Sequence, residues 1–306
     1  MLLKHFASKF GVLFLALLCV VLPLMVHPYF LSLMTLTFIY SIFAISIDIL
    51  AGYAGRTPLC HGAIFGSAAY TAIYCVITSQ YDPYTAVLLG IGMAAIIGLV
   101  FAVLAVRTSG VYFLLLTLAL GMIIWGICQR WTSVTGGENG LRGNIRPDWL
   151  QSAEHFYYFS FVVLIVIGFS VLRFVKSPFG LTLKGIRESE SRMRSLGYNT
   201  TLHLIIGFVI SSVVAGIAGV LYALFNSFVS SSSVSLAQSV KGLLMAIMGG
   251  VGTIFGGVVG SALIISLENI ISSYTERWSF VMGFMFVLAM IFIPEGIVGK
   301  LKISKK

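Results

Sequence analysis

From Tyr84 to Val106 no charged side chain interrupts the chain. A helix that crosses a membrane needs about 20 apolar residues in succession, whereas a transmembrane strand alternates apolar and polar residues over about 10. Similar runs recur throughout the sequence, and in hydrocarbon each must satisfy its own backbone hydrogen bonds, which selects helices. Only 9% of the 306 residues are charged and 58% are hydrophobic, where a soluble domain carries roughly 25% charge. A soluble fold is excluded, and the expected fold class is all-α, a polytopic bundle of transmembrane helices.

Ten apolar segments are expected, over 10–26, 29–50, 63–77, 84–106, 110–128, 156–175, 202–228, 242–250, 254–271 and 280–294. Segments 63–77 and 242–250 fall short of the roughly 17 residues an independent span requires, so each is read as a broken or partly re-entrant helix. Without those two the count drops to eight and the termini keep their side. Lys4 and Lys9 before the run 10–26 imitate a signal peptide, but no small-x-small cleavage site follows, and the run is read as the first membrane anchor.

Charge orients the bundle. With ten crossings and a cytoplasmic N-terminus, 14 of the 19 Lys and Arg fall inside: Lys4, Lys9, Arg56, Arg107, six between Arg173 and Arg194, Lys300, Lys302, Lys305 and Lys306. Arg130, Arg142, Arg146, Lys241 and Arg277 fall outside. This is the positive-inside pattern, and it puts both termini in the cytoplasm. The net charge of +9 therefore reports topology; a nucleic-acid reading needs a basic face on a soluble domain, for which there is no room. The chain reads as one membrane domain, 1–306, with a Gly-rich extracytoplasmic loop at 129–155 and a cytoplasmic loop at 176–201.

The cytoplasmic loop carries the most information. After Pro178 and Gly180 a helix-compatible run extends from Leu181 to Leu196, with Gly197 and Asn199 as a stop. Leu183, Ile186, Met193 and Leu196 can share one apolar face among Arg187, Glu188, Glu190, Arg192 and Arg194, as in a short amphipathic helix that meets a cytoplasmic partner or rests on anionic lipid. Glycine gives a second signal. Gly55, Gly62, Gly66, Ser67 and Ala68 match Gly249, Gly256, Gly260, Ser261 and Ala262 at a constant offset of 194 residues. The two short segments sit at these places, and paired interrupted helices point to a substrate path, although close helix packing alone also uses such glycines. Third, Asp48, Arg56, His61 and Glu268 lie at or near membrane depth. Charges there face a bundle interior or aqueous cavity, or snorkel to the interface, and an Asp48 to Arg56 pair would neutralise both.

Other chemistries are absent. There is no GxxxxGK[ST] loop, HExxH or GxSxG motif, and Cys19, Cys60, Cys75 and Cys128 form no CxxC pair. Neither an enzyme nor a metal site is expected. A stand-alone carrier driven by an ion gradient, with Asp48 or Glu268 as its ion-linked carboxylate, is one transport reading, and a structural membrane scaffold is another.

The segments GYAGRTPLCHGAIFGSAAYTA (Gly52 to Ala72), GVYFLLLTLA (Gly110 to Ala119), TGGENGLRGN (Thr135 to Asn144), SPFGLTLKGIRESESRMRSLGYN (Ser177 to Asn199), FVISSVVAGIAGVLYA (Phe208 to Ala223), GGVGTIFGGVVGSAL (Gly249 to Leu263) and IPEGIVG (Ile293 to Gly299) occur in order. Together they resemble the LivM-type permease of ABC importers for branched-chain amino acids. The resemblance implies a prokaryotic inner-membrane permease that works with a LivH-like second permease, two cytoplasmic ATPases that use ATP and Mg, and an extracytoplasmic binding protein, with no cofactor on this chain. It assigns Gly180, Arg187, Glu188, Glu190, Leu196 and Gly197 to an ATPase-coupling loop. Tyr53, Arg56, His61, Gly250 and Gly252 become candidates for the translocation path. Where the family commonly reads GYAGQLSLGHAAFFG, this chain has Arg56, Pro58 and Cys60 for Gln, Ser and Gly. Those departures leave urea or short amides open as alternative substrates.

Overall fold

In a computed structural model of the protein, the described residues are 27–275, 277, 280, 281, 283, 284, 287 and 296–298. The expected segment 10–26, most of 280–294 and the basic residues at both chain ends lie outside them.

The described chain is helical almost throughout. Helix α1 (Pro28–Asp48) runs on into a π-helical turn, Ile49–Ala54, and is followed by α2 (His61–Ile77), α3 (Pro83–Ala105), α4 (Gly110–Arg130) and α5 (Ala153–Lys176). Two short helices, α6 (Pro178–Glu188) and α7 (Glu190–Ser195), precede α8 (Thr200–Asn226), α9 (Leu236–Gly249) and α10 (Ile254–Tyr274). Among the described residues six helices are long and apolar enough to span a membrane, namely α1 with its π turn, α3, α4, α5, α8 and α10, while α2 and α9 are the two short ones. Proline starts α1 and α3, where its missing N–H has no helical partner to lose.

Burial sorts the spans into two layers. In the most apolar stretch of α1 and of α8, 67% is buried, against 28% in α3 and 22% in α4 and α5. The centre is α1, α2 and α8, with α9 and α10 on the other side of α1, and α3, α4 and α5 turn apolar residues such as Leu88, Ile96, Val111 and Phe169 outward. In a membrane protein that outward surface meets lipid, so it carries no penalty for exposure. The buried face of α3 is a stripe of small residues at every fourth position, Ala86, Gly90, Ala94, Gly98 and Ala102. It lets α8 approach to backbone distance: a Cβ on Gly98 would strike Ser212, and a Cβ on Gly216 would strike Ala94.

The two ends of the bundle differ. At one end, residues 131–152 form a compact cap with a two-residue antiparallel pairing of β1 (Leu141–Arg142) to β2 (Phe228–Val229). Arg146 donates from Nε to the Leu224 carbonyl at 2.6 Å and from Nη2 to the Phe225 carbonyl, and its guanidinium lies 4.8 Å from the Phe156 ring. A cation thereby satisfies carbonyls at the C-terminus of α8, where the helix dipole favours positive charge. At the other end lie α6 and α7.

The single helix expected from Leu181 to Leu196 is divided. Ser189 adopts an extended conformation, φ −163° and ψ 104°, ends α6, and accepts the Arg192 N–H as N-cap of α7. Serine competes well for this position because its hydroxyl replaces a lost helical partner. Leu183 and Ile186 are buried and Met193 is partly so, but Leu196 is 66% exposed and does not join their face, because extended Ser189 interrupts the helical periodicity before it. Gly197, at φ 88°, stands at the expected stop.

Candidate functional site

Two glycine-bearing breaks in the bundle touch each other. The first is the π turn Ile49–Ala54, closed by Gly55 at φ 69°. The second is the turn between α9 and α10, where Gly250 and Gly252 take φ 121° and φ 80°. Asp48 Oδ1 accepts the Gly252 N–H at 2.7 Å. A carboxylate thus sits at the N-terminal approach to α10, the end of a helix that favours negative charge. The contact is close because Gly52 has no side chain: a Cβ there would run into the Asp48 carboxylate and the Gly252 backbone. The two interruptions therefore meet through Asp48, Gly52 and Gly252, whereas the glycines matched at the 194-residue offset pack elsewhere, Gly62 on Ser239 and Gly66 on Val234, Gly256 on Thr253 and Gly260 on Met245.

The loop of α6 and α7 holds this junction at two points. The Arg187 guanidinium donates to the Gly52 carbonyl, and its stem lies against Gly55. Arg56, 8% exposed, forms an ion pair from Nη2 to Glu190 Oε2 at 2.6 Å and donates from Nη1 to the Thr108 carbonyl. Glu190 Oε1 also receives Arg194 Nη2 at 2.6 Å and the Thr200 hydroxyl at 3.4 Å. Glu190 is therefore the hub of a network joining α7, the start of α8 and the segment after the π turn. A cleft of about 390 Å³ opens beside it, with Arg56, Arg107, Glu190 and Arg194 in its wall. Lys184 lies 5.4 Å from the Tyr53 ring centroid and completes the contact of α6 with the π turn.

The other candidates occupy distinct places. Gly180 is in the first turn of α6 with the Phe174 and Val175 carbonyls against it, while Glu188 is exposed at the α6 C-terminus. His61, fully buried, shares a 2.7 Å hydrogen bond with the Ser211 hydroxyl, which donates to the Ser46 carbonyl at 2.6 Å. That chain bridges α2, α8 and α1. Asp48 and Arg56 do not pair, because Gly252 takes the first and Glu190 the second.

Glu268 has a partner that sequence reasoning placed elsewhere. Lys241, assigned above to the outer loops, lies on α9 and pairs with Glu268 Oε2 at 2.5 Å. Its ammonium is 4.6 Å from the Tyr40 ring centroid, and Tyr40 exchanges a 3.1 Å hydrogen bond with Gln238. A cavity of about 320 Å³ surrounds the pair. The available signal was a lone lysine directly before the apolar run 242–250, opposite in sign to the lone acid of the next segment.

The chain has relatives of known assignment. A profile of the branched-chain amino acid transport system permease component family matches residues 29–290. The high-affinity branched-chain amino acid transport system permease protein LivM of Escherichia coli K12 is 27% identical over 95% of this chain and 75% of its own length. The corresponding LivH protein of Salmonella typhimurium is 25% identical over 89% of this chain and 94% of its own. A probable LivM of Methanocaldococcus jannaschii is 24% identical over 66% of this chain and 59% of its own. No solved structure matches. This multi-pass helical membrane protein belongs to the branched-chain amino acid transport system permease family.

Proposed function

We propose that the chain is one of two permease subunits in an ATP-driven importer of branched-chain amino acids in a prokaryotic inner membrane. The second subunit is a LivH-like permease, two ATPases bind the loop 176–201 from the cytoplasm, and an extracytoplasmic binding protein delivers the amino acid to the end carrying 129–155. Both termini are cytoplasmic, and the full chain crosses eight to ten times. Mg and ATP belong to the partner ATPases.

The observation that carries the mechanism is the pair of clasps, Arg187 to Gly52 and Arg56 to Glu190, by which α6 and α7 grip the segment around the two breaks. A force on this short helix pair moves the end of α1 and, through Asp48 and Gly252, the start of α10. Exposed Leu181, Leu196 and Tyr198 on the outer side of the same loop offer the apolar surface a partner needs. ATP binding to the ATPases must favour one arrangement of this junction over the other, because a ligand shifts an equilibrium only through its differential affinity.

The amino-acid assignment rests on the relatives. The departures at Arg56, Pro58 and Cys60 left urea and short amides open, and the Arg56 charge is compensated by Glu190. Tagged chain purified from membranes is expected to bring down two ATPases and a second permease, and the reconstituted assembly is expected to take up leucine in preference to urea and acetamide. Uptake of urea or acetamide in preference to leucine overturns the substrate; uptake by the chain alone, without ATP, overturns the importer.

A further inference from the structure

We infer that Lys241 and Glu268 form a binding site for the zwitterionic backbone of a neutral amino acid, in the half of the bundle away from loop 176–201. The inference rests on the amino-acid reading above and deepens it. The cavity around the pair is lined by Leu33 and Leu36 from the first half of α1 and by Ile265 of α10, whereas the breaks lie at the other end of α1. Tyr40 also lines it, and eight residue steps along α1, about 12 Å of helix, separate it from Asp48.

The pair is costly as mere packing. Both side chains keep about a quarter of their surface open, 22% for Lys241 and 24% for Glu268, in a segment of the bundle where ionisable groups normally line aqueous paths. Between them they offer what a zwitterion requires: an ammonium for its carboxylate and a carboxylate for its ammonium. The Asn269 side chain follows Glu268 on the same wall, with its Oδ1 accepting the Tyr29 hydroxyl at 2.6 Å. Leu33, Leu36 and Ile265 supply the apolar wall for an aliphatic side chain. An incoming amino acid replaces one ion pair with two, so neither charge is left unpaired in the occupied state. That exchange is nearly balanced and suits a site that must release its ligand as readily as it takes it. Urea and short amides lack both charges and cannot make the exchange.

The test uses the complete importer in proteoliposomes with saturating binding protein, comparing Lys241→Gln, Glu268→Gln and the double variant, with assembly and ATP hydrolysis followed alongside leucine uptake. Each single variant is expected to lose at least about tenfold in uptake, the loss of one hydrogen bond to a charged group. The double variant separates the alternatives. If the pair only holds α9 to α10, two neutral residues restore uptake, and that result overturns the inference. If the pair binds the substrate, the double variant assembles and hydrolyses ATP but remains unable to take up leucine. Glu268→Asp keeps the charge, and its maximal rate of leucine uptake at saturating binding protein is expected to fall more than threefold; an unchanged rate also overturns the inference. Wild-type importer that carries urea and not leucine removes the amino-acid reading itself, an outcome distinct from leucine uptake that is indifferent to these substitutions.

Discussion

Glu190 concentrates more interactions than any other side chain of the loop, receiving Arg56, Arg194 and Thr200. Its bond to Arg194 runs to an exposed side chain four positions on along one helix and contributes little, whereas the bond to Arg56 is mostly withdrawn from water. A double-mutant cycle on Arg56→Ala and Glu190→Ala, read by thermal unfolding in detergent, is expected to give a coupling energy of about 1 to 3 kcal/mol. The same cycle on Arg194 and Glu190 is expected to give below about 1 kcal/mol. Glu188 behaves differently because its side chain is exposed. Glu188→Lys is expected to leave the unfolding temperature of the chain unchanged and to weaken ATPase attachment, measured by copurification. Sequence alone could mark Arg56 and Asp48 as charges near membrane depth and Glu190 as part of the cytoplasmic loop, but not the partners each one takes. Asp48 and Arg56 are close in sequence and of opposite sign, yet the π turn and the left-handed Gly55 send their side chains to different partners.

At the scale of elements the breaks decide the architecture. Gly52 has no room for a methyl group against Gly252 and Asp48, so Gly52→Val is expected to prevent α10 from docking on the end of α1. Overpacking of this kind costs about 1 to 3 kcal/mol or more, visible as reduced yield and a lowered unfolding temperature. Arg146 ties the cap of residues 131–152 to the last carbonyls of α8, and Arg146→Ala leaves them bare. The expected loss is about 1 to 3 kcal/mol, measured by chemical denaturation in detergent. The long spans were legible because a run of apolar residues says helix at any register, and both short helices were legible because their runs are too brief. The division of α6 from α7 was not, since Ser189 is as compatible with a helix interior as with a cap until the chain direction is known. The glycine repeat was legible as a pattern; that the breaks beside it touch through Gly52 and Gly252 depends on long-range packing no local signal contains.

For the whole molecule, Arg56, Arg107, Glu190 and Arg194 surround one cleft at the loop end, and Arg146 and the paired strands close the other. The arginines at the two ends are ones that charge counting assigned to opposite sides, whereas Lys241, which it assigned to a loop, lies on α9. With Cys19 replaced by serine, membrane-impermeant thiol reagents are expected to label Ser195→Cys only from the cytoplasm and Gln151→Cys only from outside, against the low background of buried Cys60, Cys75 and Cys128. The central claim is mechanical: the loop passes the work of the ATPases to the junction of the two breaks through Arg187. Its most direct test is the number of ATP molecules hydrolysed per leucine taken up by reconstituted importer carrying Arg187→Ala. The ratio is expected to rise more than about tenfold, the equivalent of losing one charged hydrogen bond at the junction, with ATP hydrolysis retained. A ratio equal to that of the wild type contradicts the account.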